Sequence, residues 1–132
     1  MFSRDILTGI FLSIANTEII VERNNSLQIG YRVKLKISIR GTEEFLSALQ
    51  RSLLQHEINS KLFLEESKKR PRPILKIGGI KNIVYVLQNF CKSLPDAKGE
   101  MDSFRKATRI VAEGRHLQLE GLEELFKLKE LM

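Results

Sequence analysis

The 132 residues read as one α+β domain: a four-stranded antiparallel sheet with helices over one face, in the order helix, hairpin, helix, hairpin, helix, helix, helix. Three observations predict this. Tyr31, Val33, Leu35, Ile37 and Ile39 alternate with Arg32, Lys34, Lys36, Ser38 and Arg40, the mark of a strand with one apolar and one solvated face. Extended segments come in pairs, each pair followed by residues at helical spacing. The chain starts with an apolar helix, Leu7 to Ala15, in which the small residues Gly9 and Ser13 stand four apart and so share a face.

Taken in order, the first helix supplies Leu7, Ile10, Phe11 and Ile14 as apolar surface, while Gly9 and Ser13 let another backbone approach closely. Glu18 to Arg23 and Tyr31 to Arg40 form an antiparallel hairpin through the Asn24-Asn25 turn. Gly41-Thr42 ends the second strand, and Thr42 followed by Glu43 and Glu44 starts a helix that carries Phe45, Leu46, Leu49, Leu53 and Leu54 toward the core. Ser60 to Glu66 and Arg72 to Ile77 make a second hairpin around the basic, proline-containing link Ser67 to Pro71. After Gly78-Gly79, a third helix through Ile80, Ile83, Val84, Leu87, Phe90 and Cys91 stops before Pro95. Two more helices close the chain, one through Met101, Phe104, Ala107, Ile110 and Val111 to Gly114, the other carrying Leu122, Leu125, Phe126 and Leu128.

Charge sets the class of partner. A formal net charge of +6 favours a polyanion. Arg32, Lys34, Lys36 and Arg40 fall on the sheet face opposite the apolar one, and Lys76 and Arg72 join them if they share the phase of Ile74. Like charges crowded on one solvated face repel each other, so a negative ligand is expected across it. The longest apolar run, Ile6 to Ala15, is too short to span a bilayer, and no membrane partner is expected. The single cysteine, Cys91, excludes a disulfide framework and fits a reducing, cytoplasmic setting. His56 and His116 stand apart without ligand-type neighbours; each reads as a local helix-end or turn residue.

The segment Leu7-Thr8-Gly9-Ile10-Phe11-Leu12-Ser13-Ile14-Ala15 resembles the motif that names the LAGLIDADG homing endonucleases. Leu7, Gly9 and Ile10 occupy matching places, and Ser13 a small-residue place. Single-motif members of that family have this length and element order, with extra C-terminal helices, so the resemblance covers nearly the whole chain. It implies a homodimer through the motif helix, with Leu7, Gly9, Ile10 and Ser13 at the interface, and two saddle-shaped sheets set on the DNA major groove. It also implies duplex DNA contacts from Arg32, Lys34, Lys36, Ser38, Arg40, Lys61, Arg70, Arg72, Lys76 and Lys98. Lys98 matches the family lysine near the scissile phosphate, and the run Lys68 to Arg72 falls at a hairpin tip where the family's loops touch phosphates. The motif's two acidic places hold Leu12 and Ile14. The second of these binds the divalent metal in the family, and isoleucine ligates nothing.

Three function classes follow. The first is a homodimeric DNA-binding relative without nuclease activity, for which no catalytic residue, metal ligand or cofactor is assigned. The second is an active endonuclease needing magnesium held by other carboxylates, Glu18 being the nearest downstream acid. The third is an RNA-binding helper of intron splicing, a role some members of that family have taken up; a deep, narrow A-form major groove would exclude a sheet.

Overall fold

The computed structural model describes all 132 residues and has the expected element order. Helix α1 spans Arg4–Ser13, and Ser3 caps it by accepting a hydrogen bond from the Ile6 amide at 3.2 Å. Strands β1 (Asn16–Arg23) and β2 (Tyr31–Arg40) pair along the whole of β1, from Asn16 opposite Ser38 to Arg23 opposite Tyr31. Helix α2 (Glu43–Leu54) starts at Thr42, whose hydroxyl accepts from the Phe45 amide at 3.2 Å. Strands β3 (Lys61–Phe63) and β4 (Ile74–Gly78) follow, then α3 (Ile80–Val86), α4 (Met101–Ala112) and α5 (Leu119–Glu130).

The sheet order is β1-β2-β4-β3, all neighbours antiparallel. Facing pairs put Ile19, Leu35, Ile37, Ile39, Leu75 and Ile77 on one face. These side chains join Leu7, Ile10 and Phe11 of α1, Leu46, Leu49 and Leu53 of α2, Ile83 and Val86 of α3, Phe104 and Ile110 of α4 and Leu125 of α5 in one core. All five helices thus lie against the same side of the sheet, and the other side carries no helix.

Three boundaries differ from the sequence expectation, each for a physical reason. Helix α1 begins three residues earlier and ends at Ser13, and Asn16 is already paired in β1. Beyond Val86 the third helix widens into a π-helical turn, Leu87–Cys91, ended by Lys92 at φ 38°. The carbonyls freed there are taken by Arg105 of α4, which donates to Cys91 O at 3.2 Å and Leu94 O at 2.6 Å. The largest difference lies in the second hairpin, where β3 has 3 residues and β4 begins only at Ile74. Pro71 and Pro73 lack the amide hydrogens a ladder needs, so residues 64–73 form a loop, and Arg70 and Arg72 sit in it rather than on a strand.

Candidate nucleic-acid interface

Because β-strand side chains alternate, the registers state which residues face away from the helices. From β2 these are Arg32, Lys34, Lys36, Ser38 and Arg40; from β4 Ile74, Lys76 and Gly78; from β3 Lys61 and Phe63; from β1 Asn16, Glu18, Ile20 and Glu22. Lys76 therefore does share the face of Ile74, and the phase of β3 turns Lys61 and Phe63 outward with Leu62 toward the core. Lys36, Lys61 and Lys76, with Asn59, Asn82 and Gly78, line a depression of about 500 Å³ on this face. The Lys36 ammonium packs over Gly78, 2.5 Å from where a Cβ would stand. Lys61 faces Lys76 directly, and Lys76 leans over the Phe63 ring, 5.5 Å from its centre.

The like-charge expectation needs one correction. β1 sets Glu22 opposite Arg32 and Glu18 opposite Lys36, so the cations are interleaved with acids and repel less than β2 alone implies. Lys34 pairs with Glu22 at 2.8 Å, and that hydrogen bond holds the Glu22 carboxyl below its ordinary range. The balance remains cationic, with Arg32, Lys34, Lys36, Arg40, Lys61 and Lys76 against Glu18 and Glu22.

At the far end of the face one carboxylate gathers three arginines. Glu66 Oε1 accepts from Arg40 Nε at 2.5 Å, and Arg70 and Arg72 each stand 3.8 Å from the same carboxyl group. The Glu66 side chain is 14% exposed, against 63% and 56% for Arg70 and Arg72, so the carboxylate sits beneath and the loop arginines outside. Its hydrogen bond from Arg40 pushes the Glu66 carboxyl below the usual carboxylate range, with further help from the Arg72 and Arg70 charges. The loop is itself ordered: Glu66 N donates to Arg72 O at 2.8 Å, and Ser67 N to Arg70 O at 3.1 Å.

Lys98 lies at the β1 edge, where Asn16 stands opposite Ser38, two residues from Arg40. Ala97 N donates to Leu12 O at 2.7 Å, which ties the loop before α4 to the last turn of α1, and the Lys98 ammonium donates to the Asn16 side chain. Thr17 Oγ1 donates to Glu100 at 3.3 Å beside it. Ile14, the C-terminal cap of α1, is 42% exposed here.

The expected self-association residues divide. Leu7 and Ile10 are 0% and 8% exposed inside the protomer's own core, whereas Gly9 and Ser13 point outward. At about 100° per residue, Gly9 stands roughly 200° round the helix from Leu7, so the two cannot share a face. Gly9 and Ser13 are joined instead by Ile6, 50% exposed, and a Cβ added at Gly9 would meet nothing within 4 Å. Leu7 and Ile10 are core residues.

No family model and no curated protein matches the sequence. Solved structures do match the chain. The homing endonuclease I-TnaI superposes with a TM-score of 0.84 at 20% identity, over 99% of this chain and 88% of that one. The LAGLIDADG meganuclease I-CpaMI, solved bound to uncleaved DNA, gives 0.79 at 22% identity, over 98% of this chain and 43% of its own. I-LtrWI, a LAGLIDADG homing endonuclease bound to target DNA, gives 0.80 at 16%, over 99% and 44%. The fold is that of the LAGLIDADG homing endonucleases. This chain spans most of I-TnaI and less than half of the two others.

Within the LAGLIDADG fold the donors at the end of α1 do not suit a hard divalent cation, which takes six or more oxygens, chiefly from carboxylates and water. Leu12 and Ile14 offer none, and no group of three or more His, Cys, Asp or Glu side chains comes together to hold a metal anywhere in the chain. Two members of the interface escaped the sequence reading. Glu66 stands with Glu65 just before a run of cations, but its partner Arg40 lies 26 residues away. Asn16, which receives Lys98, was not found as its partner because the two lie 82 residues apart in the chain.

Proposed function

We propose that the chain binds double-stranded DNA through the uncovered face of its sheet, as a homodimer joined by the outer face of α1, and does not cut it. The observation that carries this reading is a helix-free sheet face bearing Arg32, Lys34, Lys36, Arg40, Lys61 and Lys76, in a fold whose neighbours were solved on DNA. Phosphates would be gripped by the loop arginines Arg70 and Arg72 and by Lys98, bases approached by the strand side chains including Ser38. The stripe Ile6, Gly9, Ser13 supports pairing, because an apolar helix face with a glycine lets two backbones come close. Ile14 in the metal-binding place of the motif supports loss of cleavage.

Gel shifts on randomised duplex, with and without magnesium, test the binding. Retarded complexes in both conditions are expected, and a preference for structured RNA over duplex would replace this reading with the splicing-helper one. Incubation with supercoiled plasmid and magnesium or manganese tests the chemistry: nicking abolished by chelator would restore the endonuclease. For pairing, sedimentation should show a dimer, and Gly9→Leu, which enters open space in the protomer, should give folded monomers.

A further inference from the structure

Arg40 and Glu66 make the shortest charged contact on the open face, and it differs in kind from the others. Arg32 carries no ion pair, Lys34 holds one at the surface, and Arg70 and Arg72 stand beyond hydrogen-bond reach of their acid. Only Arg40 is tied by a hydrogen bond, through Nε, to a carboxylate that is itself mostly covered. That bond fixes the plane of the guanidinium and leaves its Nη1–Nη2 edge without a partner in the chain. The side chain is 31% exposed, with buried Ile74 beside it as its register partner on the same face. Two donors held in a fixed plane match the O6 and N7 acceptors of guanine in the major groove, the commonest specific contact to a base edge. A lysine can reach the same acceptors, but as a flexible point charge without a planar fork it grips phosphate as readily and discriminates less.

We propose that Glu66 is a positioning residue that turns Arg40 from a phosphate contact into a reader of one guanine in each half-site, while Arg70 and Arg72, held loosely by the same carboxylate, grip the flanking phosphates. This rests on the DNA-binding reading above. Glu66 contributes no attraction of its own, since a carboxylate near a duplex is repelled; its value is orientation. Removing it therefore affects affinity and selectivity in opposite senses, which a purely structural role would not do.

The test selects bound sequences from a randomised duplex pool with the wild type, Glu66→Gln, Glu66→Asp and Arg40→Lys, and measures affinity for the unselected pool in parallel. The wild type is expected to enrich a guanine at two symmetric positions, by about 5-fold or more over other bases. Glu66→Gln should flatten those positions while its affinity for unselected duplex stays level or rises, because one negative charge has gone. Arg40→Lys should weaken them with charge unchanged, because the planar fork is lost, and Glu66→Asp should keep part of the preference. An undiminished guanine preference in Glu66→Gln or Arg40→Lys overturns the proposal, as does an equal fall in selected and unselected affinity. If Glu66→Gln does not fold, the Arg40→Lys and Glu66→Asp pools decide. A wild type that retains no duplex at all overturns the DNA reading itself, whereas binding without guanine positions overturns only this one.

Discussion

The two hairpins of the sheet are built on opposite principles. In the first, β1 and β2 run 8 and 10 residues, pair along all of β1, and lay an apolar row into the core, so backbone ladder and burial set its shape together. In the second, β3 has 3 residues, β4 has 5, and the ten residues between them are held down by Glu66 on Arg40 and by short turn contacts. Both present cations to the same side. The first offers them on a rigid surface, and the second on a loop whose anchor is an ion pair. A rigid platform sets register on a duplex, and a loop held by one carboxylate can be re-aimed by single substitutions. The difference places stability in the first hairpin and adaptability in the second.

The largest effect that sharpens this contrast is on stability. Ile37, 1% exposed at the centre of the apolar row, should cost about 2–5 kcal/mol as Ile37→Ala in denaturant unfolding. Leu62, half-buried at the edge of β3, should cost clearly less as Leu62→Ala. Equal losses at the two sites would break the comparison, since they would mean that β3 is as deeply set in the core as β2.

An intermediate effect concerns salt. If cations of the first hairpin neutralise phosphates, Lys34→Ala with Lys36→Ala removes two contacts from each protomer and should lower the slope of log affinity against log salt by about 3.6 for the dimer. The exposed loop pair should behave the same way: Lys68→Ala with Lys69→Ala is expected to lower the slope by at most that amount, because these side chains are exposed and have no fixed partner. A titration from low to high salt reads both. An unchanged slope for the strand pair would mean that Lys34 stays with Glu22 and never reaches the duplex.

The contrast also explains how much could be read from the chain alone. The first hairpin is legible because its signal is periodic: five apolar residues at alternate places in β2 leave a single phase open, and a slip by one would bury four cations. Thr42 followed by two glutamates was equally plain, since capping is local. The second hairpin was drawn too long, because Leu62, Leu64, Ile74 and Ile77 suggest strands while the interruption comes from Pro71, Pro73 and a contact across 26 residues that no local pattern encodes. On α1 the information was present only in part: the helical angle separates Leu7 from Gly9, but Ile10 stands about 60° from Ser13, and only its burial places it in the core.

The smallest effect is the most selective, because acid titrates both hairpins at once. Glu66 and Glu22 each have a carboxyl held below the ordinary 4.5, the first by the hydrogen bond from Arg40 and the second by that from Lys34. For a group whose folded value is depressed, the stabilisation is complete above the unfolded value and is lost as pH falls through the folded one. Both ion pairs should therefore persist at neutral pH and open only below 4.5. Opening the Lys34–Glu22 pair leaves the full β1–β2 ladder in place, so amide signals of the first hairpin should hardly move. Opening Arg40–Glu66 removes the anchor of residues 64–73, and their amides together with the Arg40 Nε–H signal should shift or broaden in the same acid window. Signals of the two hairpins moving together would show that the loop is fastened by something other than this carboxylate.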